Sequence, residues 1–348
     1  MNVADRLPAD LARVSNRLAV EAGIPELVSR AAPVPIAGGG SDRLFVRLSG
    51  GGRTAVLLFQ PGGGGELGSY VEIARFLRRL GVGAPDVYAF NREDGAVLME
   101  DLGDVHLEDA LETASPNEAL SYYRRAIDVL VELETSVTDA MVREELLREK
   151  RFDLATLLGE TDYFLREFIE GYCPVDIPSA WERERRMLAE MLADEEPVFM
   201  HRDFQSRNIM LREGRLRLID FQTAHRGPGL YDAASLLKDP YHPLPSAMRR
   251  LLLGELHAKL VARGAREGEE RSAFEEKFAF AGIQRNLQAL AAFAKLGIRK
   301  GKQGFLASIP RGLDLLEEGI TEAGCFPGLE QLVRSVRERL RDRPEKGT

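Results

Sequence analysis

Apolar and polar positions alternate along the first third of the chain in short runs separated by glycine-rich turns. In the run SDRLFVRL, residues 41–48, one face carries Leu44, Val46 and Leu48 and the other carries mostly charged side chains. The segment SGGGR then leads into a second apolar run, TAVLLFQ, residues 54–60. Two such runs around a glycine turn predict an antiparallel hairpin.

Two helices and two further strands complete this predicted lobe. An amphipathic pattern predicts a helix at about residues 10–22, and apolar residues spaced three and four apart predict another at 66–80. Short apolar runs predict strands at 86–90 and 96–100. The order after the first helix is β-β-α-β-β, which indicates a small antiparallel sheet lobe.

The pattern from residue 108 onward is almost wholly helical. Apolar stripes at helical spacing lie near residues 117–134, 144–171, 181–194, 246–264, 272–296 and 328–341. One β island, residues 198–221, interrupts them, and within it the runs 209–211 and 216–219 flank a turn at Glu213-Gly214.

The two patterns together predict an α+β chain of two lobes. Residues 1–102 form the sheet lobe with its helices, and residues 103–348 form a larger, mostly helical lobe that contains the hairpin. We expect ligands to bind between the two lobes.

Composition narrows the class of protein. The 348 residues include 47 Lys+Arg and 55 Asp+Glu, a formal net charge of −8, which argues against nucleic acid as the main partner. The two cysteines, Cys173 and Cys325, are too few for a disulfide framework, and we expect both to be small buried residues in a reducing compartment. No run of apolar residues is long enough to span a membrane, so we expect a cytoplasmic monomer without a membrane partner.

The candidate chemistry lies in the β island. The stretch HRDFQSRN, residues 201–208, places Asn208 five residues after Asp203, and Asp220 ends the next apolar strand. Phosphoryl transfer requires a carboxylate that orients the acceptor hydroxyl and oxygen ligands for Mg²⁺ on the nucleotide. These three residues can supply both. The alternative is that they only form hydrogen bonds in loops and caps.

The chain resembles the protein-kinase-like phosphotransferases of the aminoglycoside and choline kinase group, and within it the bacterial anomeric kinases of N-acetylmuramate and N-acetylglucosamine. The similar segments are HRDFQSRN, IDFQ at 219–222, GPGLYDAASLLKD at 227–239, QRNL at 284–287 and IPR at 309–311. The runs SDRLFVR and MEDLGD, residues 41–47 and 99–104, extend the likeness into the first lobe.

The resemblance implies a two-lobed protein-kinase-like fold and a role for each matching residue. By that resemblance, Asp203 accepts the proton of the acceptor hydroxyl, and Asn208 and Asp220 hold Mg²⁺. The connector at Glu100 and Leu102 holds the adenine of ATP through its main chain. The same likeness points to three substrate residues: Arg207, Gln222 and Arg285. If the acceptor is acidic, we expect Arg285, in a basic stretch that continues to Lys302, to bind its carboxylate bidentately.

The chain departs from the protein-kinase pattern in its first lobe. Protein kinases carry a phosphate-binding lysine on the third strand, whereas the first lysine here is Lys150. We predict that Arg43 substitutes for it and that Gly40 and Ser41, in the preceding glycine loop, approach the phosphates through their amides. Glu72 occupies the position of the kinase glutamate that would pair with the missing lysine, but we favour a surface pair with Arg75.

Other signals carry less weight. The run at 63–68 fits G-x-G-x-x-G, but it follows a hairpin strand, so we interpret it as a glycine-rich turn and not as a dinucleotide site. Asp232 is expected to cap the helix that follows it.

The sequence therefore predicts a Mg²⁺- and ATP-dependent kinase of a small molecule. The expected acceptor is the anomeric hydroxyl of an N-acetylated amino sugar, as in the recycling of cell-wall sugars. The alternatives are a kinase of an aminoglycoside, an amino alcohol or another sugar, and a pseudokinase that binds nucleotide without turnover. A dinucleotide-dependent oxidoreductase is a distant further alternative.

Overall fold

The computed structural model describes residues 9–28, 33–36, 43–60, 62 and 64–342. The chain divides into two compact units. The first comprises the described residues up to Ala110 and the segment Arg207–Thr223. The second comprises Leu111–Ser206 and the described residues from Ala224 onward. A domain boundary after residue 102 stays a prediction.

The elements agree with an α+β architecture, which confirms the predicted fold class. The strands are β1 Val34–Ile36, β2 Leu44–Gly50, β3 Arg53–Phe59, β4 Val87–Asn91, β5 Ala96–Glu100, β6 Pro197–Met200, β7 Ile209–Arg212, β8 Arg215–Leu218 and β9 His225–Pro228. The helices are α1 Ala9–Glu21, α2 Gly64–Arg79, α3 Leu107–Thr113, α4 Pro116–Glu132, α5 Thr138–Met141, α6 Glu145–Glu149, α7 Leu154–Phe164, α8 Trp181–Ala193, α9 Leu230–Leu237, α10 Ser246–Ala262, α11 Arg271–Ala294, α12 Ile309–Ala323 and α13 Pro327–Arg341.

An antiparallel sheet in the order β1-β2-β3-β5-β4 organises the first unit. Val46 and Leu48 of β2 are buried, which confirms the predicted alternation. The turn between β2 and β3 uses Gly51 and Gly52, both with positive φ, as a tight hairpin turn requires.

Helices cover both faces of this sheet. Leu11, Val14 and Leu18 of α1 join one face in a common apolar core. On the opposite face, the Tyr70 hydroxyl of α2 contacts the Met99 sulfur at 3.1 Å. Successive strand residues point to opposite faces, so β5 packs against both helices.

The predicted β island is not a single structure. Strands β7 and β8 form the expected hairpin around Glu213-Gly214 and belong to the first unit. Strand β6 pairs instead with β9 in the second unit, where Val198 is opposite Gly227. The β9 segment is only four residues long and contains glycine and proline, so its pairing partner cannot be predicted from local pattern.

Helix α11 forms the centre of the second unit and is buried along most of its length. Helices α7, α9 and α12 all pack against it. The predicted single stripe at 144–171 is wrong, because α6 ends at Glu149 and α7 begins after Asp153, whose carboxylate accepts the Thr156 amide at 3.0 Å as an N-cap.

Three helices of the second unit continue into π-helical turns. These turns are Leu133–Val137 after α4, Leu165–Glu170 after α7 and Lys295–Arg299 after α11. Such turns are frequent near functional sites.

Two smaller predictions are also corrected. Helix α2 begins at Gly64, so the described part of the G-x-G-x-x-G run is helix and not an open turn. Cys173 is buried as expected, whereas Cys325 is exposed. Within the described residues, no helix is both long enough and apolar enough to cross a membrane.

Candidate active site

Asp203 lies on a loop of the second unit that follows β6. The residue before it, Arg202, has a φ of 79°, a left-handed conformation that an arginine rarely adopts. Asp232 of α9 stabilises this turn, because its carboxylate accepts the amides of His201 at 2.5 Å and Arg202 at 2.8 Å. Asp232 is therefore not a helix cap, as the sequence suggested, but a support for the loop.

A second carboxylate holds the other end of the loop. Asp239, just after α9, accepts the amide of Ser206 at 2.9 Å and its hydroxyl at 2.6 Å. Burial raises the pKa of Asp232 to about 8 and also raises the pKa of Asp239, against the effect of these hydrogen bonds. The two ends of one short helix thus fix the backbone on both sides of Asp203.

The Asp203 side chain contacts Arg285 of α11. Nη2 of Arg285 lies 3.3 Å from Oδ1 of Asp203 and 3.1 Å from Oε1 of Gln205. Its Nε donates to the Ser235 hydroxyl at 2.9 Å, and its Nη1 donates to Gln288. The Arg285 side chain is 7% exposed and that of Asp203 is 31% exposed, so the guanidinium is enclosed while the carboxylate remains accessible.

A buried network lies on the Arg202 side of the loop. Glu160 of α7 accepts Nη2 of Arg202 at 3.2 Å, the Tyr231 hydroxyl at 2.9 Å and Nε2 of Gln284 at 3.2 Å. Burial raises the pKa of Glu160, and the positive charge of the neighbouring Arg202 opposes this shift. The adjacent residues Gln284 and Arg285 therefore connect α11 to the loop from two sides.

Asn208 and Asp220 lie at the open end of the β7–β8 hairpin in the first unit. The Asn208 carbonyl accepts the Ile219 amide at 3.0 Å, which brings Asn208 beside the strand end that carries Asp220. Asp220 has a φ of 64°, and its Oδ1 accepts Nε2 of Gln222 at 2.6 Å. An amide and a carboxylate oxygen are ligands that suit Mg²⁺, with phosphates and water completing its coordination. The donor set therefore fits that ion.

Arg43 takes part in a polar cluster of the first unit. Its Nη2 donates to Glu66 at 2.6 Å and its Nε to Gln60 at 3.1 Å, while Gln60 donates to Glu66 at 3.1 Å. The Arg43 side chain is 9% exposed. The glutamate that pairs with the predicted cation is thus Glu66 at the start of α2, whereas Glu72 is exposed.

The connector residues near Glu100 make their contacts within the first unit. The Glu100 amide donates to Asp86 at 2.8 Å, its carboxylate binds Arg217, and Leu102 is buried. Arg47 donates to Asp101 at 2.8 Å and to Asp104 at 2.8 Å. Burial raises the pKa of Asp101, but the hydrogen bonds from Arg47 and the Gly103 amide outweigh this effect and hold the pKa below its ordinary value.

The structure describes some of the remaining candidate residues and not others. Arg207 donates to Glu108 at 2.5 and 2.9 Å in the first unit. Gly40 and Ser41 lie outside the described residues. The sequence pattern alone does not single out Glu66, Asp239 or Glu160. Asp239 ends the GPGLYDAASLLKD run, but its loop partner at Ser206 is 33 residues away.

Comparison with known proteins supplies the family. The sequence profile of the phosphotransferase enzyme family matches residues 33–271, more than two thirds of the chain. The chain belongs to this family. The prediction of an enzyme, an ATP-dependent small-molecule kinase, is thereby confirmed.

Similar proteins include two N-acetylmuramate/N-acetylglucosamine kinases. The one from Pseudomonas aeruginosa is 26% identical over 307 residues, 87% of this chain and 88% of the relative. The one from Pseudomonas putida is 28% identical over 302 residues, 86% of this chain and 85% of the relative.

A solved structure supports the fold. The crystal structure of a putative aminoglycoside phosphotransferase from Ralstonia eutropha has a TM-score of 0.64 at 16% identity. The match covers 88% of this chain and 97% of that chain. At this level of identity the likeness establishes the phosphotransferase fold alone.

Proposed function

We propose that this phosphotransferase transfers the γ-phosphoryl group of ATP to the anomeric C1 hydroxyl of an N-acetylated amino sugar. The acceptor oxygen forms the new P–O bond, the bond between the γ-phosphorus and the bridging oxygen breaks, and ADP leaves. Asp203 accepts the hydroxyl proton. A hemiacetal hydroxyl is more acidic than an ordinary alcohol, so a carboxylate is basic enough for this step.

The observation that carries the proposal is the setting of Asp203. Its carboxylate is accessible, while Asp232 and Asp239 fix the backbone on either side of it. A reacting group held in place in this way lowers the entropic cost of reaching the transition state. The names of the two Pseudomonas relatives support an N-acetylated amino sugar as acceptor.

We assign the nucleotide to residues of the first unit. Asn208 and Asp220 would hold Mg²⁺, which neutralises phosphate charge when bound. Arg43, oriented by Glu66, would contact the phosphates, together with the amides of Gly40 and Ser41. The main chain near Glu100 and Leu102 would hold the adenine. We also propose Arg207 and Gln222 as residues that bind the substrate. We further propose that the protein is a cytoplasmic monomer.

The charge near Asp203 favours a neutral or acidic acceptor over a polycation. Arg285 contacts Asp203 directly, and the neighbouring carboxylates Asp232, Asp239 and Glu160 already accept protein donors. A cationic amine at this position would meet a guanidinium and would gain no carboxylate partner from these three residues.

The test is ADP release from Mg-ATP with a panel of acceptors. We expect turnover with N-acetylmuramate or N-acetylglucosamine and an acid-labile phosphate at C1 of the product. Asp203→Asn should lower kcat by about 10² to 10⁴-fold with the Kd for Mg-ATP little changed, because it removes the proton acceptor and keeps the shape of the side chain.

Kanamycin, choline and plain hexoses complete the panel. Turnover of one of these in place of the amino sugars would reassign the acceptor. ATP binding without turnover of any acceptor on the panel would contradict an N-acetylated amino sugar as the acceptor. Full activity of Asp203→Asn would contradict the role of Asp203.

A further inference from the structure

A group of cations surrounds one carboxylate where α7 and α11 end in π-helical turns. Glu167 accepts Arg299 at 2.8 Å and Arg166 at 3.1 Å, and its side chain is only 3% exposed. Nζ of Lys295 lies 5.4 Å from the centre of the Tyr163 ring. Three cations, Arg166, Arg299 and Lys295, therefore lie around Tyr163 and Glu167, with the carboxylate of Glu160 also near Tyr163, in a chain whose net charge is −8.

Lys295 differs from the two arginines in its partners. Arg166 and Arg299 both pair with Glu167, and Arg166 also lies 5.6 Å from the centre of the Tyr163 ring. Within the described part of the chain, Lys295 contacts the face of that ring and forms no ion pair with a carboxylate. A cation–π contact leaves the N–H donors of an ammonium available on the side away from the ring. Lys295 is also half-buried, so an anion that reached it would be partly shielded from water.

Two helices connect Lys295 with the residues around Asp203. On α11, Gln288 contacts Arg285, which contacts Asp203. Lys295 follows Gln288 by seven residues, two helical turns, so it lies on the same side of the helix about 10 Å farther along the axis.

The second route runs along α7. Glu160, which binds Arg202 next to Asp203, precedes Tyr163 by three residues. Residues three apart are neighbours on one helix face, separated by about 4.5 Å along the axis. The Tyr163 ring that contacts Lys295 is therefore one turn from the network beside Asp203.

The face of α11 between Gln288 and Lys295 is partly exposed to solvent. Gln288, Ala292 and Lys295 are half-buried, whereas most neighbouring residues of the helix are buried. Positions 288, 292 and 295 share one face of a helix. This face presents an amide, a methyl group and then an ammonium to any molecule lying along it from Asp203.

We propose that Lys295 binds the carboxylate of an acidic acceptor whose hydroxyl reacts at Asp203, with Arg299 and Arg166 adding to the local positive potential. This inference rests on the proposed function. In N-acetylmuramate the group in question is the lactyl carboxylate, which N-acetylglucosamine lacks. Arg285, the residue that the sequence suggested for this role, already directs its donors to Asp203, Gln205, Ser235 and Gln288.

The two sugars provide the test, because they differ in this anionic group. Steady-state kinetics at saturating Mg-ATP should show that Lys295→Gln raises the KM for N-acetylmuramate about 5- to 20-fold, the effect of losing one partly exposed charged hydrogen bond. The KM for N-acetylglucosamine should stay within about twofold. Lys295→Glu should raise the first KM further, and Lys295→Arg should restore most of it.

Lys259→Gln is the matched control. Lys259 is a partly exposed lysine of α10 that pairs with Asp128, and its replacement should leave both KM values unchanged. Turnover of N-acetylglucosamine by each variant shows that it is folded.

Three results would overturn this inference and leave the proposed function in place. An equal rise of both KM values in Lys295→Gln would indicate a structural role, and an unchanged KM for N-acetylmuramate would exclude the contact. Wild-type turnover of the neutral sugar alone would also exclude an acidic acceptor. If the wild type turns over neither sugar, the proposed function fails, and this inference fails with it.

Discussion

At the residue scale, the backbone at Arg202 shows how the loop is held in an unfavourable conformation. A positive φ at a non-glycine residue costs of order 1–3 kcal/mol. Asp232 offsets this cost by accepting two consecutive amides, and Arg202 itself is held by Glu160 and by the ring of Phe152, 5.3 Å away. The strain is located next to the residue proposed as the proton acceptor.

Arg285 provides a prediction at the same scale. We expect Arg285→Gln to lower kcat about 10- to 100-fold with the KM for Mg-ATP nearly unchanged, because Asp203 and Gln205 lose the guanidinium that positions them. Arg285→Lys should recover part of the loss, since it restores the charge but not the fork of donors. Initial-rate kinetics with each substrate varied in turn measures both constants.

The control for Arg285 is the thermal midpoint of each variant. A variant that unfolds well below the wild type has lost packing, and its kinetics then report a structural effect. If the Arg285→Gln variant is folded and keeps the wild-type kcat, Arg285 does not position Asp203.

At the element scale, helix α9 and the start of α2 each orient one part of the site. The two carboxylates at α9 fix the loop around Asp203. Glu66, in the first turn of α2, holds Arg43, which precedes β2. An acidic residue in a first helical turn is favoured by the helix dipole, so Glu66 suits both the helix and the arginine.

The Arg43 pair gives a prediction for nucleotide binding. Arg43→Ala should raise the Kd for Mg-ATP about tenfold, because one charge-assisted phosphate contact is lost. Glu66→Gln should raise it about threefold, because Arg43 loses its orienting partner. Equilibrium binding of Mg-ATP measures each Kd.

Glu72→Gln is the matched control for this pair. Glu72 is exposed on the same helix, and its replacement should leave the Kd unchanged. Unchanged affinity in Arg43→Ala would contradict the assignment of Arg43 to phosphate. An effect of Glu72→Gln equal to that of Glu66→Gln would assign the pairing role to neither residue.

At the scale of the whole molecule, a buried acidic cluster makes the stability of the second unit depend on pH. Burial raises the pKa of Glu134 to about 7, against the attraction of Arg266, and the nearby Glu195 and Glu269 also raise it. The unfolded chain releases this proton near the ordinary value of 4.5. Between these two values the folded state holds a proton that the unfolded state has lost, so stability falls as pH rises.

We therefore expect Glu134 to contribute a fall of about 2 kcal/mol in the free energy of unfolding from about pH 5 to pH 8, in addition to the fall that the raised pKa of Asp232 contributes. Glu134→Gln should make the dependence shallower by about that amount. Fluorescence of Trp181, the one tryptophan of the chain and a buried residue of the second unit, reports the transition.

Glu330→Gln is the control for the pH dependence. Glu330 is a carboxylate of α13 that is 60% exposed, and its replacement should keep the wild-type slope. Equal slopes for the wild type and Glu134→Gln would exclude a contribution of Glu134 to the pH dependence.

The local features of the fold follow from the amino-acid sequence alone. The alternation of residues in β2 and β3, the hairpin around Glu213-Gly214 and most helical stripes follow from periods of two and 3.6 residues. The spacing of Asp203, Asn208 and Asp220 singled out the candidate chemistry, because these residues lie close together in the chain.

The residues that support that chemistry are brought together by tertiary packing. Arg285 and Asp203 are 82 residues apart, and Arg43 and Glu66 are 23 apart. Their pairing depends on which helix faces which loop, and periodicity within an element carries no information about the neighbour it packs against. The separation of β6 from the β7–β8 hairpin has the same reason, since the partner of β6 comes after the hairpin in the chain.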